Sequence, residues 1–159
     1  MIKDKIIPRE KLKTILDNER ESGKTIVFAN GCFDVLHVGH IRYLKDAGAL
    51  GDILVTAVNS DNSVKLIKGN YRPILPEEDR ALLVAAMKHV DYVTLFPEPD
   101  AIATMRMLRP HIQAKGTDYT EDTVPERYVM EELGGKVAIT GDPKDHSTKS
   151  LISLVKEKF

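Results

Sequence analysis

Short apolar, β-rich runs alternate along this chain with segments whose apolar residues recur at helical spacing. The runs at residues 25–29, 53–58, 92–96, 111–114 and 136–140 predict strands. Helical spacing appears in Leu12, Ile15 and Leu16, then in Ile41, Leu44 and Ala47, and again in Leu82, Leu83, Ala86 and Met87. It returns in Ile102, Met105 and Leu108, over residues 128–133, and in Leu151, Ile152, Leu154 and Val155. Strands that alternate with helices need crossover connections. The predicted fold class is therefore α/β, a doubly wound and mostly parallel five-stranded sheet with helices on both faces. Residues 1–159 are expected to form a single domain, with residues 1–23 as an N-terminal helical extension packed on it. Residues 59–76 show little pattern beyond Val64, Leu66 and Ile67 and are expected to be a long loop turning at Gly69 and Asn70.

Composition narrows the function. A chain of 159 residues buries roughly two-thirds of its unfolded surface, enough for one substantial core. Lys and Arg number 23 against 24 Asp and Glu, so the net charge of −1 creates no global field for nucleic acid or an anionic membrane. Neither partner is expected, and any bound anion must meet a local basic cluster. The start of the chain has no signal-peptide pattern, and the longest strongly apolar run, residues 81–87, is far shorter than a membrane span. The reading is a cytoplasmic protein. The sole cysteine, Cys32, has no disulfide partner within the chain and reads as a small buried filler.

The densest chemistry follows the first predicted strand, in Asn30-Gly31-Cys32-Phe33-Asp34-Val35-Leu36-His37-Val38-Gly39-His40. A strand exit, a glycine-assisted turn and two histidines three residues apart meet at the expected start of a helix. Unpaired N–H donors and a partial positive charge make such a helix start attractive to anions, and imidazoles add donors there. No compact cluster of His, Cys and carboxylates completes a metal site around the pair, so no resident metal is expected. The local basic cluster is Lys65, Lys68, Arg72 and Arg80, around the Gly69-Asn70 turn. Arg80 falls in the first turns of a helix whose start is acidic, where an arginine is locally disfavoured, which calls for a partner elsewhere in the fold. Asp34 reads as a loop-holding or orienting group, because a bare carboxylate aimed at a polyphosphate would repel it.

The segment from Asn30 to His40 resembles the G-x-F-D-x-x-H-x-G-H signature of the cytidylyltransferase-like nucleotidyltransferases. Ala57-Val58-Asn59-Ser60-Asp61, Lys68-Gly69 with Arg72-Pro73, Glu77-Glu78-Asp79-Arg80 and Lys115-Gly116-Thr117-Asp118-Tyr119 extend the similarity toward its sugar-phosphate adenylyltransferase branch, which makes ADP-glycero-manno-heptose. The resemblance implies a Rossmann-like sheet and transfer of AMP from ATP to a heptose 1-phosphate, with Mg²⁺ screening the phosphates. It implies catalytic roles for His37, His40, Lys68 and Arg80. Nucleotide contacts are implied for Asn30, Gly31, Cys32, Phe33, Gly39, Lys115, Gly116, Asp118, Ser147 and Thr148, and acceptor contacts for Asn59, Asp61, Lys68 and Arg72. Related domains are commonly homodimers, and that state is expected here. The chain departs from the family pattern at Thr117, where a second glycine is usual, and at Lys149, where a third hydroxyl residue is usual.

Two alternatives remain open at this level. A cytidylyltransferase for glycerol 3-phosphate shares the histidine signature, and a nucleotide-binding regulatory module without turnover would share part of the cradle.

Overall fold

The computed structural model describes residues 1–143 and 147–159. The five strands are β1 (Ile26–Gly31), β2 (Ile53–Asn59), β3 (Tyr92–Phe96), β4 (Ile112–Lys115) and β5 (Lys136–Ile139). They form one sheet in the order β3-β2-β1-β4-β5, and every pairing is parallel. The helices are α1 (Arg9–Glu21), α2 (Val38–Gly48), α3 (Asp61–Lys68), α4 (Glu77–Ala85), α5 (Ile102–Leu108), α6 (Arg127–Glu132) and α7 (Thr148–Lys158), preceded by a 3₁₀ turn at Ile2–Lys5.

The two sheet faces carry separate apolar layers. Leu12 and Leu16 of α1, Met105 and Leu108 of α5, and Val129 and Met130 of α6 pack on one face with Phe28 and Val55. Leu44 and Ala47 of α2 and Ala81, Val84 and Ala85 of α4 cover the other, against Val27, Leu54 and Val93. The helical segment at the start of the chain is thus part of the main core, because Leu12 and Leu16 are both 0% exposed. Among the described residues, no helix is long and apolar enough to cross a membrane.

Three features differ from the pattern-based expectation. The stretch after β2 is not a continuous loop, since α3 occupies Asp61–Lys68; the Ser60 hydroxyl caps it by accepting from the Ser63 N–H, and Val64 is buried. In α4 the buried face is Arg80, Ala81, Val84 and Ala85, whereas Leu83 is 44% exposed. Ile41 of α2 also faces solvent. In α4 the periodicity places Leu83 inward, but Arg80, satisfied by tertiary partners, takes an inward position instead.

His111 joins three strands at the opposite end of the sheet from the loops described next. Its N–H donates to the Ile26 carbonyl, its ring Nδ1 accepts from the Ile26 N–H at 2.9 Å, and its carbonyl accepts from Lys136. Burial lowers the ring's pKa, and the nearby Arg20 charge adds to this. A depressed folded pKa stabilises the fold above the unfolded histidine value of about 6.5 and loses that contribution as pH falls below it. The thermal midpoint of the native chain should therefore drop between about pH 7.5 and 5 more steeply than that of His111→Asn, whose side chain accepts but does not titrate. Parallel slopes would remove His111 from the acid response.

Candidate active site

β1, β2 and β3 run outward in one direction from the middle of the sheet, and the chain then crosses back to lay β4 and β5 on the other side of β1. The strand order therefore reverses between β1 and β4, the place where loops diverge and leave a crevice at the carboxyl ends. A cavity of about 590 Å³ opens there. Its wall comes from the exits of β1, β4 and β5, the first turn of α2, Lys68 at the end of α3 with Arg72 on the loop after it, and the start of α7. It brings together His37, His40, Asn30, Gly31, Cys32, Phe33, Gly39, Gly116, Asp118, Ser147 and Thr148, as well as Lys68 and Arg72.

The histidine pair is fixed by the helix start itself. His37 is the N-cap of α2, where its Nδ1 accepts from the Gly39 N–H at 3.1 Å. The His40 Nδ1 accepts from the His37 N–H at 3.2 Å, closing the reciprocal arrangement of a capping box. The two rings lie 4.0 Å apart between centroids, and the buried Phe33 ring tilts against His40 at 5.4 Å. A ring whose Nδ1 accepts carries its proton on Nε2, so each neutral imidazole is held as an Nε2–H donor. Gly31 belongs here for a packing reason, because a Cβ on it would come within 3.2 Å of the Phe33 ring.

The turn between β1 and α2 is strained. Phe33 and Val35 adopt φ of 49° and 54°, a left-handed conformation that costs a β-branched residue about 1–3 kcal/mol. Between them Asp34, with its side chain 0% exposed, accepts from the N–H groups of Ile74 and Leu75 and from Arg72 Nε at 2.6 Å. Burial alone would raise this carboxyl's pKa, but the Leu75 and Ile74 N–H groups and the Arg72 guanidinium together hold it below the usual carboxylate range. Asp34 therefore holds a loop, as a carboxylate beside a polyanion site must. From the far side, the Thr148 hydroxyl donates to the carbonyls of Asp34 and Val35 at 3.3 and 3.2 Å. Cys32 is not an activated nucleophile, because burial raises its thiol pKa despite the nearby Lys68, Arg80 and Arg72.

Arg72 and Lys68 form the basic wall. Only the Nε edge of Arg72 meets Asp34; its Nη2 is buried with no hydrogen-bond partner among the described residues, and the Asn30 Oδ1 is another such atom on the cavity wall. Lys149, in the first turn of α7, also lines the cavity, so the departure from the usual hydroxyl places a cation there. Thr117 is not among the residues of positive φ, so its position needs no glycine, and its hydroxyl donates to the Asp142 carbonyl at 2.7 Å.

Several expected contacts are not made directly with the cavity. Arg80, Asn59, Asp61 and Lys115 are absent from its wall. Arg80 is 0% exposed and paired with Asp61 behind the β2 exit, and Asn59 donates through Nδ2 to the Ser63 hydroxyl at 2.9 Å. Lys115 points to the opposite side of β4, where its ammonium lies 3.5 Å from Glu126 and over the Tyr119 ring. The alternation of side chains along a strand accounts for Lys115: Ala114 faces the α2 and α4 layer, so its neighbour faces the other way. The Ser147 hydroxyl caps α7 by accepting from the Ser150 N–H, and Thr148 is turned to the β1 loop. Lys144, Asp145 and His146 lie outside the described residues. The sequence reading missed Arg42 and Tyr43 on the wall, although both sit within one turn of His40 and Gly39 on α2. Arg42 pairs with Asp142, and the Tyr43 hydroxyl donates to the Ala114 carbonyl, tying α2 to the exits of β5 and β4.

A parallel sheet with a donor-rich helix start and a basic wall at its reversal point defines an α/β protein of the nucleotidyltransferase class. The sequence profile of the Cytidylyltransferase-like family matches residues 28–155, and the chain belongs to that family. It is 43% identical over 155 residues to the bifunctional protein HldE of Syntrophotalea carbinolica, an alignment covering 98% of this chain and 32% of that protein. It is 44% identical over 152 residues to the bifunctional protein HldE of Helicobacter pylori, covering 96% of this chain and 31% of that one. The chain thus spans about a third of the length of these curated relatives. A crystal structure of the lipopolysaccharide core biosynthesis protein from Thermoplasma volcanium aligns with a TM-score of 0.66 at 35% identity, over 77% of this chain and all of that one.

Proposed function

We propose that this chain transfers AMP from ATP to a heptose 1-phosphate, giving an ADP-heptose and pyrophosphate. The observation that carries the reading is the pairing, in one cavity, of two imidazoles held as Nε2–H donors with a guanidinium whose Nη2 is buried and has no partner among the described residues. The attacking oxygen belongs to a phosphate that is already ionised near neutral pH, so the reaction needs no strong general base. It needs two polyanions brought together and the charge spread over the α-phosphorus and the leaving pyrophosphate stabilised. His37 and His40 donate to triphosphate oxygens, and Lys149 adds a cation at the α7 start. Arg72 and Lys68 hold the acceptor phosphate from the other wall. Adenine and heptose rest on the family resemblance and on the relatives called HldE.

Mg²⁺ enters with the nucleotide as part of the substrate and screens the triphosphate charge. Asp34 is committed to its loop, and among the described residues no group of three or more His, Cys, Asp or Glu is arranged to hold a metal ion. A homodimer accords with the exposed apolar side chains Leu66, Tyr71 and Leu83, and light scattering on the purified chain tests it.

Pyrophosphate release with ATP and a heptose 1-phosphate, together with detection of the ADP-sugar, tests the reading. Faster turnover with CTP and glycerol 3-phosphate would transfer the chain to the cytidylyltransferase alternative. Tight nucleotide binding with no pyrophosphate from any pair would leave a regulatory module. Within the proposed reaction, Lys68→Ala and Arg72→Ala should chiefly raise the KM for the sugar phosphate. Arg72→Lys should be more damaging than Lys68→Arg, because only a planar fork bonds Asp34 and a phosphate at once. Unchanged kinetic constants in both alanine variants would remove the pair from acceptor binding.

A further inference from the structure

Arg80 is a charged side chain with 0% exposure, one layer behind the cavity and absent from its wall. Its Nε donates to the Leu75 carbonyl at 3.0 Å, its Nη1 to the carbonyls of Cys32 and Asn59 at 2.5 and 2.7 Å, and its Nη2 to Asp61 at 2.8 Å. One guanidinium therefore joins the β1 exit, the β2 exit and the loop that carries Arg72. Asp61 is itself held, because its N–H donates to Glu77 at the start of α4. The Leu75 peptide is gripped from both sides, with its N–H on Asp34 and its carbonyl on Arg80. The residue after Cys32 begins the strained turn, with φ of 49° at Phe33 and 54° at Val35. A strained conformation persists only where its surroundings over-determine it, and Arg80 fixes the carbonyl immediately before it.

We propose that Arg80 is a positioning residue that sets the acceptor-side geometry, holding the Arg72 loop in register with the histidine turn without touching substrate. Lysine at this position keeps the charge but not the fork, so it cannot bond Leu75, Cys32, Asn59 and Asp61 together. The consequence is a displaced Arg72, felt first by the sugar phosphate. This inference rests on the adenylyl-transfer reading for its kinetic part, and its structural part can be tested without turnover.

The test is Arg80→Lys in the full chain. Without substrate, hydrogen exchange should quicken at the Ile74 and Leu75 amides and in residues 32–36, while the β4 and β5 amides keep native protection. With substrates, the KM for the sugar phosphate should rise on the order of tenfold or more, and the KM for ATP should move far less. Arg72→Lys added to Arg80→Lys should cost much less than Arg72→Lys costs alone, because the two act as a unit. A role confined to stability would lower the thermal midpoint but leave both KM values of the folded protein unchanged and the two substitutions additive, and that result overturns the proposal. If Arg80→Lys does not fold, Asp61→Ala removes one partner from the half-exposed side and must show the same non-additivity with Arg72→Lys. If the native chain turns over no sugar phosphate, the functional reading fails, while unchanged exchange at Ile74 and Leu75 in Arg80→Lys would separately overturn the positioning role.

Discussion

Replacing His40 with Ala should lower turnover by roughly two orders of magnitude or more with the fold intact, and His37→Ala should do the same. An oriented donor at developing charge is worth about 3–4 kcal/mol, which corresponds to that loss. Both variants should also lose some stability, because each Nδ1 accepts one bond of the α2 capping box. Losing a cap costs about 1 kcal/mol. Asn is among the best N-cap residues, so His37→Asn should regain that stability yet stay nearly inactive, which separates the cap from the donor. Single-turnover pyrophosphate release, read beside thermal unfolding, decides the matter. A folded His40→Ala protein with near-native turnover would remove the catalytic role of the pair.

A second large effect is expected at Asp34. Asp34→Asn retains the shape but removes the charge that faces Arg72 and offers one acceptor oxygen where the Ile74 and Leu75 N–H groups and Arg72 Nε meet two. Breaking a buried pair from one side costs about 3–5 kcal/mol, because the remaining charge is left uncompensated. Chemical denaturation should show a loss of that order. Adding Arg72→Met should return part of the stability without returning activity, since the guanidinium that meets the acceptor phosphate is then gone. The native protein should lose the same contribution on acidification. A carboxyl held below the ordinary value of about 3.9 stabilises the fold above that pH, and the contribution disappears as pH falls through its lowered pKa. An Asp34→Asn protein as stable as the native chain would mean that the carboxylate does not hold the loop.

The architecture was legible because burial on both faces leaves a plain signature. Each strand is a short apolar run, and each is followed by amphipathic spacing, which forces parallel crossovers. The β1 exit was legible too: a glycine beside an aromatic residue, then histidines at a helix cap, have local roles that a linear sequence expresses. One difference came where a polar residue lies inside. In α4 the apolar spacing of Leu82, Leu83, Ala86 and Met87 suggested one face, yet Arg80 turns inward because three carbonyls and Asp61 await it. Residues 59–76 looked unstructured because the Ser60 cap and a single buried Val64 are a weak signal over so short a helix.

The sequence by itself determined the layered α/β fold, the histidine pair at the α2 start and the need for a local basic cluster. Those properties reside in residue type and short-range spacing. Only the tertiary structure decided which members of the basic cluster face the cavity. Lys68 and Arg72 line it, while Arg80 stands behind it and Lys115 turns to Glu126. It also decided that Asp34 serves a loop more than 35 residues away in the chain, and that the Thr148 hydroxyl latches onto the β1 turn. The reason is energetic: a buried charge is tolerable only where the fold supplies its partners, and those partners come from segments that adjoin only after the sheet has formed.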